Sequence, residues 1–568
     1  MSFIAKKLLP TKLRARRGPV AETAEGPVLG KHLDKGRITF FGGVPYAKPP
    51  VGDLRWKAPQ QAEKRDAVLD CTAVGRMAFQ RLQNFDAFIS NLVVGLGLSK
   101  PKQKAISAAV KAIPKPQSED CLTLNIRTPS GATGLPVMFW IHGGDHTDGS
   151  ASDPFYDSNA LPSRGCVLVT INYRLGLLGF MAHPELSAES PEGVSGNYGL
   201  LDQIAALEWV RNNIENFGGD PERITIFGES AGGEAVLNLM TSPRSRGHFA
   251  AAIAQSPSDS GRWLHLDRPV LGFDAALDAG AAFATSLVGP EAGQIERLRS
   301  MEPEELSDAY RADLHAGRHF YPVVDGAILP MTPMTAFSRQ AQAPVPFMIG
   351  YNADEGSLLA EFMHPVGPEF GSRDDALAGA ETLDAAAMRR QFVESYGSEA
   401  AVDQLMAAYP GLADMDEEAI TRYGADHMFG VHVDHASRQH ASAGHPTYRY
   451  HFRSVPASDK QTAGAYHAAE LFHVFDTAFP LVPDADDAHL LTRDMGDRWF
   501  AFAAAHVPDS PGRPAWPRFD PAEPKHMVFN RPVSGPELNP AEPGLALMRD
   551  RIALLNEATS QRDAMPVT

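Results

Sequence analysis

Arg223–Met240 reads RITIFGESAGGEAVLNLM, and the fold is decided in this stretch. RITIF (223–227) is a short apolar run of strand type, and Ala231–Met240 begins a helix. Between them lies Gly228-Glu229-Ser230-Ala231-Gly232, a G-x-S-x-G pattern. Small residues two positions either side of the serine let a strand turn sharply into a helix, so that the hydroxyl projects from the turn. A serine hydroxyl is a poor nucleophile until it is held exposed beside a base. Three fixed positions in five recur by chance; a strand before and a helix after are the context the chemistry requires. The plain alternative is a Gly-rich turn carrying an ordinary serine.

Working outward, the middle of the chain alternates apolar runs with helical patterns, which argues for a parallel sheet with crossover helices. Leu135–His142 (LPVMFWIH) and Cys166–Tyr173 (CVLVTINY) are strands upstream. Leu200, Ile204, Leu207, Val210 and Ile214 recur at spacings of a single helix face, and Gly218-Gly219 stops that helix. Phe249–Gln255, Pro346–Tyr351 and Thr447–Phe452 read as later strands of the same sheet. The expected fold class is α/β: one doubly wound core rather than two unrelated domains. His142-Gly143-Gly144-Asp145 directly follows the first strand. Acyl transfer builds negative charge on a carbonyl oxygen, and backbone N–H groups of a Gly-rich loop stabilise it together with the N–H after the serine, here Ala231.

The 568 residues carry a formal charge of −17 (69 acidic, 52 basic), which repels phosphate backbones and argues against a nucleic-acid partner. No run approaches the ~18 apolar residues of a membrane span. The first 20 residues hold six basic residues and no acid, with Lys6 and Lys7 breaking the apolar stretch a secretory signal needs. Residues 1–30 are expected to form a basic flexible arm, 31–558 a single catalytic domain, and 559–568 a tail. Within the domain, 81–117 breaks the alternation as a lid-like excursion, and 355–435 reads as an inserted helical cap. Three cysteines, Cys71, Cys121 and Cys166, fit a reducing compartment, with the cytoplasm the default. Nothing in the residues specifies an oligomeric state.

Several longer motifs occur in a fixed order: FFGGVPYAKPPVGDLRW (40–56), SEDCLTLNI (118–126), WIHGG (140–144), NYRLGLLGF (172–180), GNYGLLDQ (196–203), FGGDPERITIFGESAGG (217–233), GYNADEG (350–356) and GAYHAAELFHVF (464–475). In these the chain resembles the type-B carboxylesterase family from Phe40 onward. The resemblance implies an α/β-hydrolase fold, with a large mostly parallel sheet flanked by helices and helical cap insertions. It implies cleavage of small carboxylic esters through an acyl-enzyme on Ser230, with no cofactor and no metal. It also places the acid of the triad at Glu355, in N-x-x-E-G, and the base at His467, in G-A-x-H. Neither is selected by spacing alone. His467 would take the hydroxyl proton and return it to the leaving alcohol, while Glu355 orients the ring. The oxyanion hole would use the N–H groups of Gly144, Asp145 and Ala231, with Gly143 in the same loop. Glu229 would tune the site's electrostatics or merely pack, and Ser256 matches a family serine near the triad.

Two departures stand out. Asp145 replaces the third loop glycine, and His146 stands where an aromatic is usual. The Asp145 side chain is expected to turn away from the reacting oxygen, toward His146. Cys121 lacks its usual partner, the nearby position holding Ala78, and is expected to be a free thiol. His432-Val433-Asp434-His435 looks like a ligand cluster but reads as a helix face. His467-x-x-Glu470 likewise admits a surface pair or half a metal site. An amidase or carbamate hydrolase with the same triad stays open, and so, more remotely, does a non-catalytic scaffold.

Overall fold

The computed structural model describes residues 17–80, 82–113, 115–257, 264–270, 274–314, 319–358, 385–455, 457–458, 460–477, 488–530, 534–538 and 543–549. Its strands are β1 (Arg17–Ala21), β2 (Val28–Leu33), β3 (Ile38–Pro45), β4 (Leu69–Asp70), β5 (Thr123–Pro129), β6 (Leu135–Ile141), β7 (Val167–Ile171), β8 (Gly219–Glu229), β9 (Ala251–Gln255), β10 (Leu264–His265), β11 (Val323–Val324), β12 (Phe347–Asn352), β13 (Thr447–Phe452), β14 (Lys525–Phe529) and β15 (Gly535–Leu538). All but β10 and β11, which pair with each other, form one sheet in the order β1-β2-β3-β5-β7-β6-β8-β9-β12-β13-β14-β15, with β4 beside β2. From β7 to β14 every neighbouring pair is parallel. Antiparallel strands close both ends.

The central strands are covered on both faces, and β6 (LPVMFWI) is accordingly apolar throughout. Along β6, Val137, Phe139 and Ile141 enter one core, with Leu200, Ile204, Leu207 and Val210 of the helix Tyr198–Asn213. Met138 and Trp140 point the other way, into a core shared with Trp499 and Phe502 of the helix Ala488–Ala505. The helix Tyr198–Asn213 is buried on more than the single face its periodicity suggests. Asp202, fully buried, receives two 2.7 Å bonds from Arg174, so its polar side is covered by an ion pair. Gly218, at φ +89, ends the turn that follows it.

The expected strands are found within two residues of their limits, except that β8 begins four residues before Arg223. The basic arm needs correction. Residues 17–21 and 28–30 lie in β1 and β2, because the charge density stops at Arg17 and the residues after it are extended and paired. Residues 1–16 and the tail 559–568 fall outside the described residues. In 81–117 two helices form, Leu82–Gly95 and Lys100–Lys111. Ile89, Leu92, Val93 and Leu96 of this excursion pack with Leu358 and Ala463, and the Gly95 carbonyl accepts from the N–H groups of Thr462 and Ala463. The excursion therefore rests on the segments around Glu355 and His467. Of the region 355–435, residues 359–384 are outside the described set; the remainder is mostly helical, including Ala385–Tyr396, Glu399–Ala408 and Glu417–Ala425.

Candidate active site

The site lies where the parallel strands end. Ser230 follows β8 directly and holds φ +57 and ψ −125, outside the regions open to unstrained L residues. Its N–H donates to the Gln255 carbonyl (2.9 Å), and its carbonyl accepts from the Glu234 N–H (2.9 Å). The flanking glycines are explained by close approach. A Cβ on Gly232 would sit 2.1 Å from the Ile141 carbonyl oxygen, and one on Gly228 would sit 2.4 Å from the Gly232 oxygen. The turn is tight because β6 runs beside it. Ser230 is only half-buried, whereas Glu229 before it and Ala231 after it are buried.

The loop after β6 packs on this turn. A Cβ at Gly143 would lie 3.1 Å from the Ser230 Cβ and 2.6 Å from the Glu229 carbonyl oxygen. Gly144 takes φ +103, and its carbonyl accepts from the N–H groups of Thr147 and Asp148. Asp145 and His146 both lie in the left-handed region, at φ +53 and +54. The Asp145 side chain does not go to His146. Its Oδ2 accepts a 2.8 Å bond from the Tyr321 hydroxyl, while the buried His146 places Nε2 3.2 Å from Glu234 Oε1. Glu234 lies on the helix that Ser230 opens and Tyr321 just before β11, so both partners belong to segments that only the folded chain brings near.

Glu355 and His467 meet across a short bridge. Asp354 pairs with Tyr466 in parallel, the Asp354 N–H donates to the Ala465 carbonyl (3.1 Å), and the Asn352 amide donates to the Tyr466 carbonyl (2.8 Å). This register sets the next residue of each strand side by side: His467 Nδ1 lies 2.5 Å from Glu355 Oε2. The other carboxylate oxygen of Glu355 accepts from the Ser256 hydroxyl (2.6 Å) and the Asn352 N–H (2.7 Å). Glu355 is fully buried, as is Ser256, which takes φ +41 after β9. The opposite ring nitrogen, His467 Nε2, lies 3.1 Å from Glu229 Oε1. The ring thus joins the acid after β12 to the turn that carries Ser230.

A third carboxylate closes the cluster. Glu470, fully buried, accepts from Gln255 (2.9 Å) and Asn352 (2.7 Å), so it is neither a surface residue nor an isolated ligand. Its partners lie at the ends of β9 and β12, too remote in sequence for HAAE to announce them. Burial pushes the Glu229 carboxyl up to about 8, against the pull of His467 and with the help of the Glu470 and Glu355 charges. For His467 burial disfavours the charged ring, but Glu229 and Glu355 outweigh it and raise the imidazole to about 9.

In the His432–His435 run, Asp434 is bonded by Arg438, Arg449 and Arg549, and His435 Nε2 lies 2.9 Å from Ser338 Oγ. These residues brace a helix against β13. Among the described residues no group of His, Cys, Asp and Glu is arranged to hold a metal ion, and no helix is long and apolar enough to cross a membrane. All three cysteines are buried free thiols.

A strained serine between a parallel strand and its helix, with a buried carboxylate–imidazole pair reaching the residue before it, is the arrangement of an α/β-hydrolase. The family model described as the carboxylesterase family matches residues 17–545. The chain is 35% identical over 528 residues to the fumonisin B1 esterase of Sphingopyxis macrogoltabida, spanning 88% of this chain and 86% of that protein. It is 34% identical to the liver carboxylesterase of Sus scrofa, spanning 89% and 88%. Among solved structures, a PNB esterase superposes with a TM-score of 0.74 at 29% identity, covering 93% of this chain and 99% of that one. A Geobacillus stearothermophilus carboxylesterase gives the same TM-score, identity and coverage. The chain belongs to the carboxylesterase family and is a serine hydrolase of carboxylic esters.

Proposed function

We propose that Ser230 is the nucleophile, His467 the general base and acid, and Glu355 the carboxylate that orients the ring. The observation that carries this reading is the position of His467, with Nδ1 on Glu355 and Nε2 facing the residue next to Ser230. With Nδ1–H committed to Glu355, Nε2 takes the Ser230 proton as the hydroxyl oxygen attacks the ester carbonyl. The tetrahedral oxyanion is met by the N–H groups of Gly144, Asp145 and Ala231. Collapse breaks the bond to the alcohol, which leaves with the proton held on Nε2. Water, deprotonated by the same nitrogen, then releases the acid and restores Ser230.

Ser256 and Asn352 fix the Glu355 carboxylate in place by donating to it, and Glu229 favours positive charge on the ring. The substrate is proposed to be a small-molecule ester, and one catalytic unit to span most of the chain, in line with the family match over 17–545. Three unpaired thiols support a cytoplasmic setting. Ser230→Ala tests the assignment. With p-nitrophenyl acetate the acyl-enzyme burst should vanish and turnover should fall at least about a thousandfold. A variant that keeps its burst would place the nucleophile elsewhere.

A further inference from the structure

Asp145 is an exposed carboxylate next to Gly144, in the loop read above as the oxyanion loop. Its charge has the sign of the oxygen that develops during acyl transfer, so a freely moving side chain there opposes the reaction. The side chain is not free. Tyr321 donates its hydroxyl to Asp145 Oδ2 at 2.8 Å across 176 residues of chain. The donor itself is anchored: Tyr321 is buried, its ring stacks on His319 at 5.6 Å and 18°, and two residues on, Val323 exchanges backbone bonds with the Asn197 side chain (2.9 and 2.7 Å). On the other side of Asp145, the buried His146 lies against Glu234, and its carbonyl accepts from the Gly176 N–H (2.8 Å). A residue that glycine would leave loose is thus held from both directions.

We propose that Tyr321 is a positioning residue that keeps the Asp145 carboxylate off the oxyanion donors and, by the same bond, fixes the loop that presents them. The proposal rests on the oxyanion-loop reading above. It makes the Asp–Tyr pair a unit: aspartate is tolerated at this position because the tyrosine restrains it. Removing the restraint and leaving the charge is the harmful combination.

Tyr321→Phe deletes one oxygen and keeps the ring. It should lower kcat for p-nitrophenyl acetate about tenfold and weaken binding of an aryl trifluoromethyl ketone by a similar factor, with KM changed less than about twofold. Adding Asp145→Asn to Tyr321→Phe removes the charge that the Tyr321 hydroxyl no longer holds and should raise kcat at least about threefold above Tyr321→Phe alone. A side chain that only packs gives no such recovery. Urea midpoints of all variants separate a folding defect from a site defect.

Full kcat in Tyr321→Phe would overturn the proposal, and so would a loss that Asp145→Asn fails to relieve. A wild-type enzyme insensitive to the ketone would refute the oxyanion-loop reading itself, and the proposal with it. That outcome is told apart by appearing before any substitution is made.

Discussion

His467 carries a carboxylate at each ring nitrogen, and the consequence for pH is specific. In the proposed mechanism only the neutral imidazole accepts the Ser230 proton, so activity should be lost as pH falls through the His467 pKa, raised to about 9 by Glu229 and Glu355. The acid limb of kcat/KM should therefore lie well above the ~6.5 of an ordinary histidine. Glu229→Gln keeps the shape of the side chain and deletes one of the two charges. A full charge about 4 Å away at an effective dielectric of ~20 is worth about 4 kcal/mol, or ~3 pH units, as an upper limit. Glu229 is itself raised to about 8, so it carries only part of its charge over the working range, and the half-open serine admits water. The expected shift is about one to two units downward, with the two groups titrating as a pair. Profiles of p-nitrophenyl acetate hydrolysis from about pH 5.5 to 10, wild type against Glu229→Gln, measure it. An acid limb that stays within about 0.3 units of wild type, or moves upward, would refute the electrostatic reasoning.

Gly232→Ala should be among the most damaging single-methyl changes in the chain. The new Cβ would meet the Ile141 backbone carbonyl oxygen at 2.1 Å, and the overpacking should cost about 2–3 kcal/mol in urea unfolding with most activity lost; a stable, active variant would show that the turn has slack. Burial raises the thiols of Cys71 and Cys166 to about 12 and that of Cys121 further. A disulfide reagent at neutral pH should accordingly find no rapidly reacting thiol in the native protein and all three after denaturation without reductant, whereas a single thiol would reveal a bridge.

The reach of the sequence follows the reach of its local signals. The strand–turn–helix around Ser230 was readable because its determinants lie within eighteen consecutive residues. The parallel strands are legible because burial on both faces leaves short runs dominated by apolar and β-branched or aromatic residues, as in LPVMFWI and VLVTI. Glu355 and His467 were located only through resemblance, since the register that joins them is a bridge between Asp354 and Tyr466, 112 positions apart. Tyr321 carries no signal, and Glu470 reads only as a surface pair or half a metal site, because the partners of each come from segments remote in sequence. The helix Tyr198–Asn213 looked one-sided because Asp202 reads as a surface residue until Arg174 is placed against it. The N-terminal strands give no clear local signal because mixed composition next to a basic run resembles a loose arm.

The ladder of parallel strands also acts as a ruler. β8 and β12 are separated by β9 alone, so at about 4.8 Å per step the strands that lead to Ser230 and to Glu355 run about 10 Å apart. That interval is set by main-chain pairing and is indifferent to the length of the excursions that rise between the strands. Loops on the far side of the sheet can lengthen, shrink or exchange residues while the spacing of these strands stays fixed.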